Sequence, residues 1–295
     1  LTDKAGIPAG VVNLINGSAD TVNAILTHPD IAGISFVGST PIANHVYKTA
    51  AEHGKRVQAQ GGAKNHIIIS ASADLEFAAE QTVGSAFANA GERCLANPVA
   101  VIEDNIYNPL KELMIEKSNE ITVGYGLQEE VDMGALISDK HLKNVEGYIE
   151  QGIDEGAQLL LDGRDFQTPM DGNFIGPTIF GNVTPEMAIA TEEIFGPILA
   201  LIRVEGFEEA LEVQKSSRFG NAASLFTQLG EEAKRFRHEA EAGNLGVNIG
   251  TAAPMAFFHF GGMKDSFYGD LHAQGEDMIQ FFTDKKIYIE RWPLQ

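Results

Sequence analysis

A mixed α/β architecture around a parallel sheet is what this 295-residue sequence predicts, and three observations carry the expectation. Short apolar runs alternate with helical segments along almost the whole chain. The runs Val11-Val12-Asn13-Leu14-Ile15 and Ile34-Ser35-Phe36-Val37 flank an Ala/Leu-rich stretch at Thr21 to Leu26, which makes a β-α-β unit and therefore parallel strands. The composition, 44% hydrophobic with 8% aromatic residues and 31 glycines, is that of a folded globular chain long enough for one large or two ordinary domains.

Taken in order, Leu1 to Ala5 read as the last turn of a helix entering the turn Gly6-Ile7-Pro8-Ala9-Gly10. After the β-α-β unit a helix opens at Ser39-Thr40-Pro41, with hydroxyls placed to cap it and a proline in its first turn. Beyond a loop at Gln60 to Lys64, Ile67-Ile68-Ile69 makes a strand, and Asp74 caps a helix running through Phe77, Thr82 and Ala86 towards Ala90. There follow a strand near Val99 to Ile102, helices near Leu110 to Ile121 and Lys140 to Glu155, and a strand at Gln158 to Leu161. Strands near Ile198 to Val204 and at Ala222 to Phe226, with helices at Phe207 to Ser216 and Glu231 to Ala242, complete a second α/β layer. The last stretch, Lys285 to Trp292, alternates like a strand, and such a terminal strand either closes its own sheet or adds to a neighbour's edge.

With 21 Lys and Arg against 41 Asp and Glu, the net charge of -20 repels phosphate backbones and anionic membranes, so neither nucleic acid nor membrane is expected as a partner. The acidic excess reads as a solvated surface, with salt adaptation as the sharper alternative. One cysteine cannot form an internal disulfide, and no secretory segment opens the chain. A reducing compartment is expected: the cytoplasm, or a mitochondrial matrix in a eukaryote. Leu1 is not a methionine, and a domain rarely begins on the last turn of a helix, so an upstream part is expected to be missing.

That cysteine, Cys94, lies in Asn89-Ala90-Gly91-Glu92-Arg93-Cys94, between a helix and the segment Leu95-Ala96-Asn97-Pro98. A lone cysteine is more often a small buried hydrophobe than a nucleophile. Here a glycine permits an unusual turn, Arg93 favours a thiolate, and the loop lies at a sheet edge of the kind where ligands bind. Around it stand Phe36-Val37-Gly38-Ser39-Thr40, Gly61-Gly62-Ala63-Lys64-Asn65, Glu192-Glu193-Ile194-Phe195-Gly196-Pro197 and Phe260-Gly261-Gly262-Met263-Lys264-Asp265-Ser266. These motifs, in this order, resemble the aldehyde dehydrogenases over essentially the whole chain.

The resemblance implies an aldehyde dehydrogenase-like fold: a partial Rossmann-type coenzyme domain, an α/β catalytic domain and a terminal oligomerisation strand. Its divisions would be 1–63 for the remainder of the NAD-binding domain and 64–262 for the catalytic domain. Residues 263–280 would return to the NAD-binding domain, and 281–295 would form the oligomerisation strand of a homo-oligomer, a homotetramer in the family. Cys94 matches the nucleophile that attacks the aldehyde and is left as a thioester after hydride passes to nicotinamide, its own N–H serving as an oxyanion donor. Gly38 and Ser39 match the turn and helix N-terminus that face the cofactor pyrophosphate. Glu193 matches the carboxylate on the nicotinamide ribose, and Phe195 the aromatic that confines the nicotinamide. Lys264 and Ser266 read as structural.

Two departures narrow the resemblance. Where hydrolytic members carry Glu-Leu-Gly-Gly-Lys this chain has Gln60-Gly61-Gly62-Ala63-Lys64, and glutamine cannot serve as the base that activates water. The acyl-enzyme should then await a thiol such as coenzyme A. The segments ending in Asn65-His66 and the run Ser266-Phe267-Tyr268-Gly269-Asp270-Leu271-His272 resemble the methylmalonate-semialdehyde branch, whose substrates bear a carboxylate that Arg93 would bind. The alternative for Arg93 is to lower the cysteine pKa or to hold a loop carbonyl. His66, His259 and His272 match no metal-ligand spacing, so no metal is expected. A hydrolytic enzyme giving a free acid, or a truncated non-catalytic paralogue acting as a subunit, remain the competing readings. The family's second oxyanion donor and its adenosine-ribose segment precede Leu1 in the resemblance, so this stretch by itself should bind cofactor poorly.

Overall fold

The computed structural model describes residues 3–293, so Leu1 and Thr2 of the expected leading helical turn lie outside the described residues. Helix α1 (Ala19–Thr27), strand β1 (Gly33–Val37), helix α2 (Thr40–Glu52) and strand β2 (Arg56–Gln60) open the fold, with β1 and β2 parallel from Gly33↔Arg56 to Val37↔Gln60. Leu26, Ile34, Ala43, Val46, Ala50 and Ala59 close a small apolar cluster between them. The expected strand Val11 to Ile15 does not form. Its residues are coil, with Val11, Val12, Leu14 and Ile15 between 62% and 87% exposed, because no strand among the described residues offers it a ladder.

The chain then crosses by the Gly61–Asn65 loop into strand β3 (His66–Ile69) and helix α3 (Leu75–Phe87). Asp74 caps α3 by accepting from the Phe77 N–H at 3.1 Å. The helix stops at Phe87, short of the expected Ala90, because Asn89, Ala90 and Gly91 adopt left-handed φ of 55°, 54° and 71°. Strand β4 (Val99–Glu103) leads into helix α4 (Asp104–Asn119), which begins six residues before the expected start. Pro109 lies inside its second turn, and the helix runs through it, with Ile106, Tyr107, Leu110 and Met114 buried on one face.

Next come α5 (Asp139–Asp154), β5 (Gln158–Leu161), β6 (Thr178–Val183), the single turn α6 (Ala188–Thr191), β7 (Ile198–Val204) and α7 (Phe207–Ser216). The short β8 (Phe219–Gly220) precedes β9 (Ala222–Phe226), α8 (Gly230–Glu239) and β10 (Asn244–Val247). Two-residue strands β11 (Met263–Lys264) and β12 (Phe267–Tyr268) and helix α9 (Gly275–Phe281) end the regular structure. Strands β3, β4, β5, β6, β7, β9 and β10 form one sheet in the order β10-β9-β3-β4-β7-β6-β5, parallel throughout except that β5 runs against β6. Its core is continuous, with Ile67, Ile68 and Ile69 fully buried at the centre. Strand β12 joins β2 antiparallel to give the small sheet β1-β2-β12. The α/β class with parallel sheets is as the sequence predicts. The segment Lys285 to Trp292 closes no sheet of its own chain: it is coil, with Ile287, Tyr288, Ile289 and Trp292 between 78% and 88% exposed.

The two sheets meet end to end. Strand β2 finishes at Gln60 and β3 starts at His66, so five residues join the carboxyl edge of the small sheet to the amino edge of the large one.

Candidate active site

The Cys94 loop stands at the amino edge of the large sheet, immediately before β4, and the Glu193–Pro197 segment stands beside it, before β7. This corrects one expectation: ligands in open α/β sheets usually sit outside the carboxyl ends of strands, which here holds for Gly38 and Ser39 after β1 but not for the cysteine. What aims the cysteine is the left-handed turn that follows α3. Two non-glycine residues in that region cost about 1 kcal/mol or more each, and packing must hold them there. Gly91 meets a second demand, since a Cβ at that position would lie 2.3 Å from the Gly196 carbonyl oxygen.

Cys94 is exposed to solvent. Its remaining surroundings push the thiol pKa up, burial being the largest cause, with the Glu193 carboxylate adding. The N–H groups of Cys94 and Leu95 and the Arg93 guanidinium act in the opposite direction. Arg93 therefore favours the thiolate, as the sequence suggests, without prevailing. The Cys94 carbonyl oxygen accepts two side-chain bonds, from Asn65 Nδ2 at 2.9 Å and Asn221 Nδ2 at 2.7 Å. Neither asparagine is singled out by the sequence.

Arg93 itself is half-buried and makes no ion pair among the described residues. It lines a crevice with Ala63, Asn65, Glu193, Phe195 and Gly196. Glu193 accepts from the Ala63 N–H through Oε1 at 2.8 Å, and burial raises its pKa against the pull of that N–H, Lys64 and Arg218. Its Oε2 faces Gly62, where a Cβ would stand 2.3 Å away, so a side chain there would displace the Glu193 carboxylate. Beneath it Lys64 is 2% exposed, its Nζ has no hydrogen-bond partner, and burial lowers its pKa to about 7 despite Glu193 and Glu192.

Phe195 holds a left-handed φ of 58° with its ring 40% exposed. Its carbonyl accepts from His141 Nε2 at 2.7 Å, which fixes that imidazole's proton on Nε2, and the Glu92 carboxylate lies 3.5 Å from the same nitrogen. His141 is another residue the sequence does not announce, because it acts on a backbone atom 54 positions away.

Gly38 donates its N–H to the Gln60 carbonyl at 3.1 Å. Ser39 occupies the position before α2 but makes no side-chain cap, contrary to the expected hydroxyl capping. The Thr40 hydroxyl is spent on the loops instead, accepting from Gly62 N–H at 2.9 Å and donating to the Asp265 carbonyl at 3.1 Å. Ser266 Oγ donates to the Gly62 carbonyl at 2.7 Å and accepts from Gly220 N–H at 3.1 Å. Lys264 donates to the carbonyls of Lys215 and Ser217 and pairs with Glu241 at 2.7 Å. So Arg93, Glu193 and Phe195 share the crevice, Cys94 is joined to it through Arg93 and through the Asn65 that holds its carbonyl, and Gly38 and Ser39 are tied to it through Thr40 and Gly62. His272 bonds the Gly262 carbonyl at 3.1 Å and stacks on Phe267.

The family model described as aldehyde dehydrogenase matches residues 1–288. The malonate-semialdehyde dehydrogenase of Halalkalibacterium halodurans is 50% identical over 292 residues, covering 99% of this chain and 60% of the relative. That of Bacillus pumilus is 48% identical over 293 residues, again 99% of this chain and 60% of the relative. Among solved structures, methylmalonate-semialdehyde dehydrogenase from Oceanimonas doudoroffii superposes with a TM-score of 0.97 at 40% identity, covering 99% of this chain and 61% of the other. 1-Pyrroline-5-carboxylate dehydrogenase from Thermus, with bound NAD, gives 0.87 at 34% identity, covering 95% and 55%. The chain thus spans about three-fifths of the length of the curated relatives it matches.

Proposed function

This chain belongs to the aldehyde dehydrogenase family, and on that premise we propose that it carries the nucleophile of an enzyme oxidising malonate or methylmalonate semialdehyde to an acyl-CoA. The observation that carries the reading is the sole cysteine of the chain, exposed to solvent, directly after an arginine that lines the crevice and makes no ion pair among the described residues. Relatives at about half identity named for malonate semialdehyde support the substrate class.

In this proposal the Arg93 guanidinium binds the substrate carboxylate through its planar fork and brings the aldehyde carbon over Cys94. The thiol gives its proton to solvent, the thiolate adds to the carbonyl carbon as the C=O π pair moves to oxygen, and that oxygen accepts a hydrogen bond from the Cys94 N–H and takes up a proton from solvent. Bound NAD supplies the acceptor for the hydride that leaves the resulting thiohemiacetal. The described residues fit the nicotinamide half of such a cofactor. Glu193 keeps Oε2 without a protein donor, Phe195 exposes its ring, and the N-terminus of α2 at Gly38–Ser39 is left uncapped for a pyrophosphate. Gln60, at the end of β2, cannot take a proton from water, so the thioester on Cys94 persists until the coenzyme A thiol attacks it and Cys94 departs.

The divisions 1–63, 64–262, 263–280 and 281–295 belong to the same proposal, supported by the two separate apolar clusters and the return of β12 to the small sheet. So does a homo-oligomer, a tetramer in the resemblance, supported by the exposed Lys285 to Trp292 segment, and so does a reducing cytoplasmic setting. Among the described residues no helix is long and apolar enough to cross a membrane.

The test is product analysis of the protein encoded by the whole reading frame, incubated with malonate semialdehyde, NAD and coenzyme A. Acyl-CoA is expected, together with NADH, and Cys94→Ser should abolish both. Free acid as the sole product, unaffected by coenzyme A, overturns the acylating step.

A further inference from the structure

Two buried asparagines converge on one backbone atom of the cysteine. Asn65 is 2% and Asn221 6% exposed, and each directly precedes a strand, β3 and β9, that are neighbours in register at His66↔Ala223. Adjacent strands lie about 4.8 Å apart, close enough for both carboxamides to reach a single oxygen between them. Their orientation is not ambiguous. Asn65 turns its Nδ2 to two carbonyls, those of Cys94 at 2.9 Å and Ala96 at 2.7 Å, and its Oδ1 to the Ala222 N–H at 2.9 Å. A flipped amide would set oxygen against oxygen and N–H against N–H. Asn221 Nδ2 adds the second donor at 2.7 Å and fills the oxygen's remaining lone pair.

We propose that Asn65 and Asn221 are positioning residues for the nucleophile, holding the Cys94–Leu95 peptide plane so that its opposite end, the Leu95 N–H, is directed at the Cys94 sulfur. The proposal rests on the reading of Cys94 as nucleophile. A peptide group is rigid, so fixing its oxygen fixes its N–H. The Leu95 N–H and the Cys94 N–H are among the groups that favour the thiolate against burial. The clamp is also what stabilises a loop entered through three left-handed residues, which would otherwise relax towards ordinary φ. The two asparagines thus act on the sulfur through a backbone they do not belong to.

Because Cys94 is the only cysteine of this chain, its alkylation by iodoacetamide reports on this one thiol, and its rate followed from about pH 6 to about pH 11 gives the thiol's midpoint. Asn221→Ala is expected to move that midpoint up by about 0.5–1 unit. At neutral pH the alkylation rate should fall by roughly two- to threefold, the net of about three- to tenfold less thiolate and about two- to threefold greater intrinsic nucleophilicity. Asn221→Gln, which restores an amide donor, should recover part of the shift. Asn65→Ser, whose hydroxyl can still accept the Ala222 N–H, carries the same expectation and serves should Asn221→Ala not fold. A midpoint unchanged in the folded variants, with only thermal stability lowered, overturns the proposal. Alkylation needs no aldehyde, so this outcome is separate from the Cys94→Ser turnover test, whose failure would instead remove the nucleophile reading.

Discussion

The Arg93 guanidinium acts against the burial that raises the Cys94 pKa and has no ion-pair partner among the described residues, so thiol activation and the proposed substrate recognition can be told apart by substitution. Arg93→Leu in the full reading-frame product should cut kcat/KM for malonate semialdehyde by about 100-fold, the range of a lost charge-assisted pair, and for propanal by no more than about tenfold. Equal losses would assign Arg93 to the thiol alone. His66 offers a second residue-scale prediction. Burial, helped by Lys64, pulls its pKa down to about 4, whereas the unfolded imidazole titrates near 6.5. Between those values the unfolded chain binds the extra proton, so stability falls as pH drops from about 6.5 to about 4 and the loss is complete below. The full effect is of order 3 kcal/mol, and His66→Phe should flatten that limb of the urea-melt profile. Cys94, Arg93, Glu193 and Phe195 were named from the sequence because each stands in a run that resembles a family motif. Asn65, Asn221 and His141 were not, because each acts on a backbone carbonyl brought near only by the fold.

The turn after α3 is the element on which the site depends. Gly91→Ala combines a left-handed φ of 71° with a Cβ 2.3 Å from the Gly196 carbonyl, so the loop must shift. A loss of about 2–4 kcal/mol is expected in chemical denaturation, together with a changed Cys94 alkylation rate in the folded fraction; a near-neutral variant would mean that the two segments part easily. At the other end of the same helix, Asp74→Ala should cost about 1 kcal/mol and leave alkylation untouched, since only the Phe77 N–H loses its acceptor. Elements with clean periodicity, such as β3, β7, α5 and α7, could be read directly. Strand β2 could not, because Gln58, 2% exposed, stands where an apolar residue would be expected. Nor could β6, whose Gly181 and left-handed Asn182 accompany a register break between Phe180 and Val183. Conversely Val11 to Ile15 has the pattern of a strand without the pairing partner that makes one, since hydrogen bonding to a neighbour is not a local property.

At the scale of the molecule, apolar exposure and charge pull in opposite directions. The segment Lys285 to Trp292 exposes Ile287, Tyr288, Ile289 and Trp292, which favours addition of this edge to a second copy, while a net charge of -20 on each copy repels that copy. Salt screens the repulsion over about 10 Å at 0.1 M and does not weaken apolar burial. Association through this segment should therefore strengthen as salt rises from about 0.05 M to about 0.5 M, the reverse of an interface held by ion pairs. Trp292 is the only tryptophan, so its emission reports on the segment directly, and it should move to shorter wavelength in step with the mass measured by light scattering. Dissociation with added salt, or growth in mass without any change in Trp292 emission, would place the contact elsewhere on the surface and leave the terminal segment without a role in assembly.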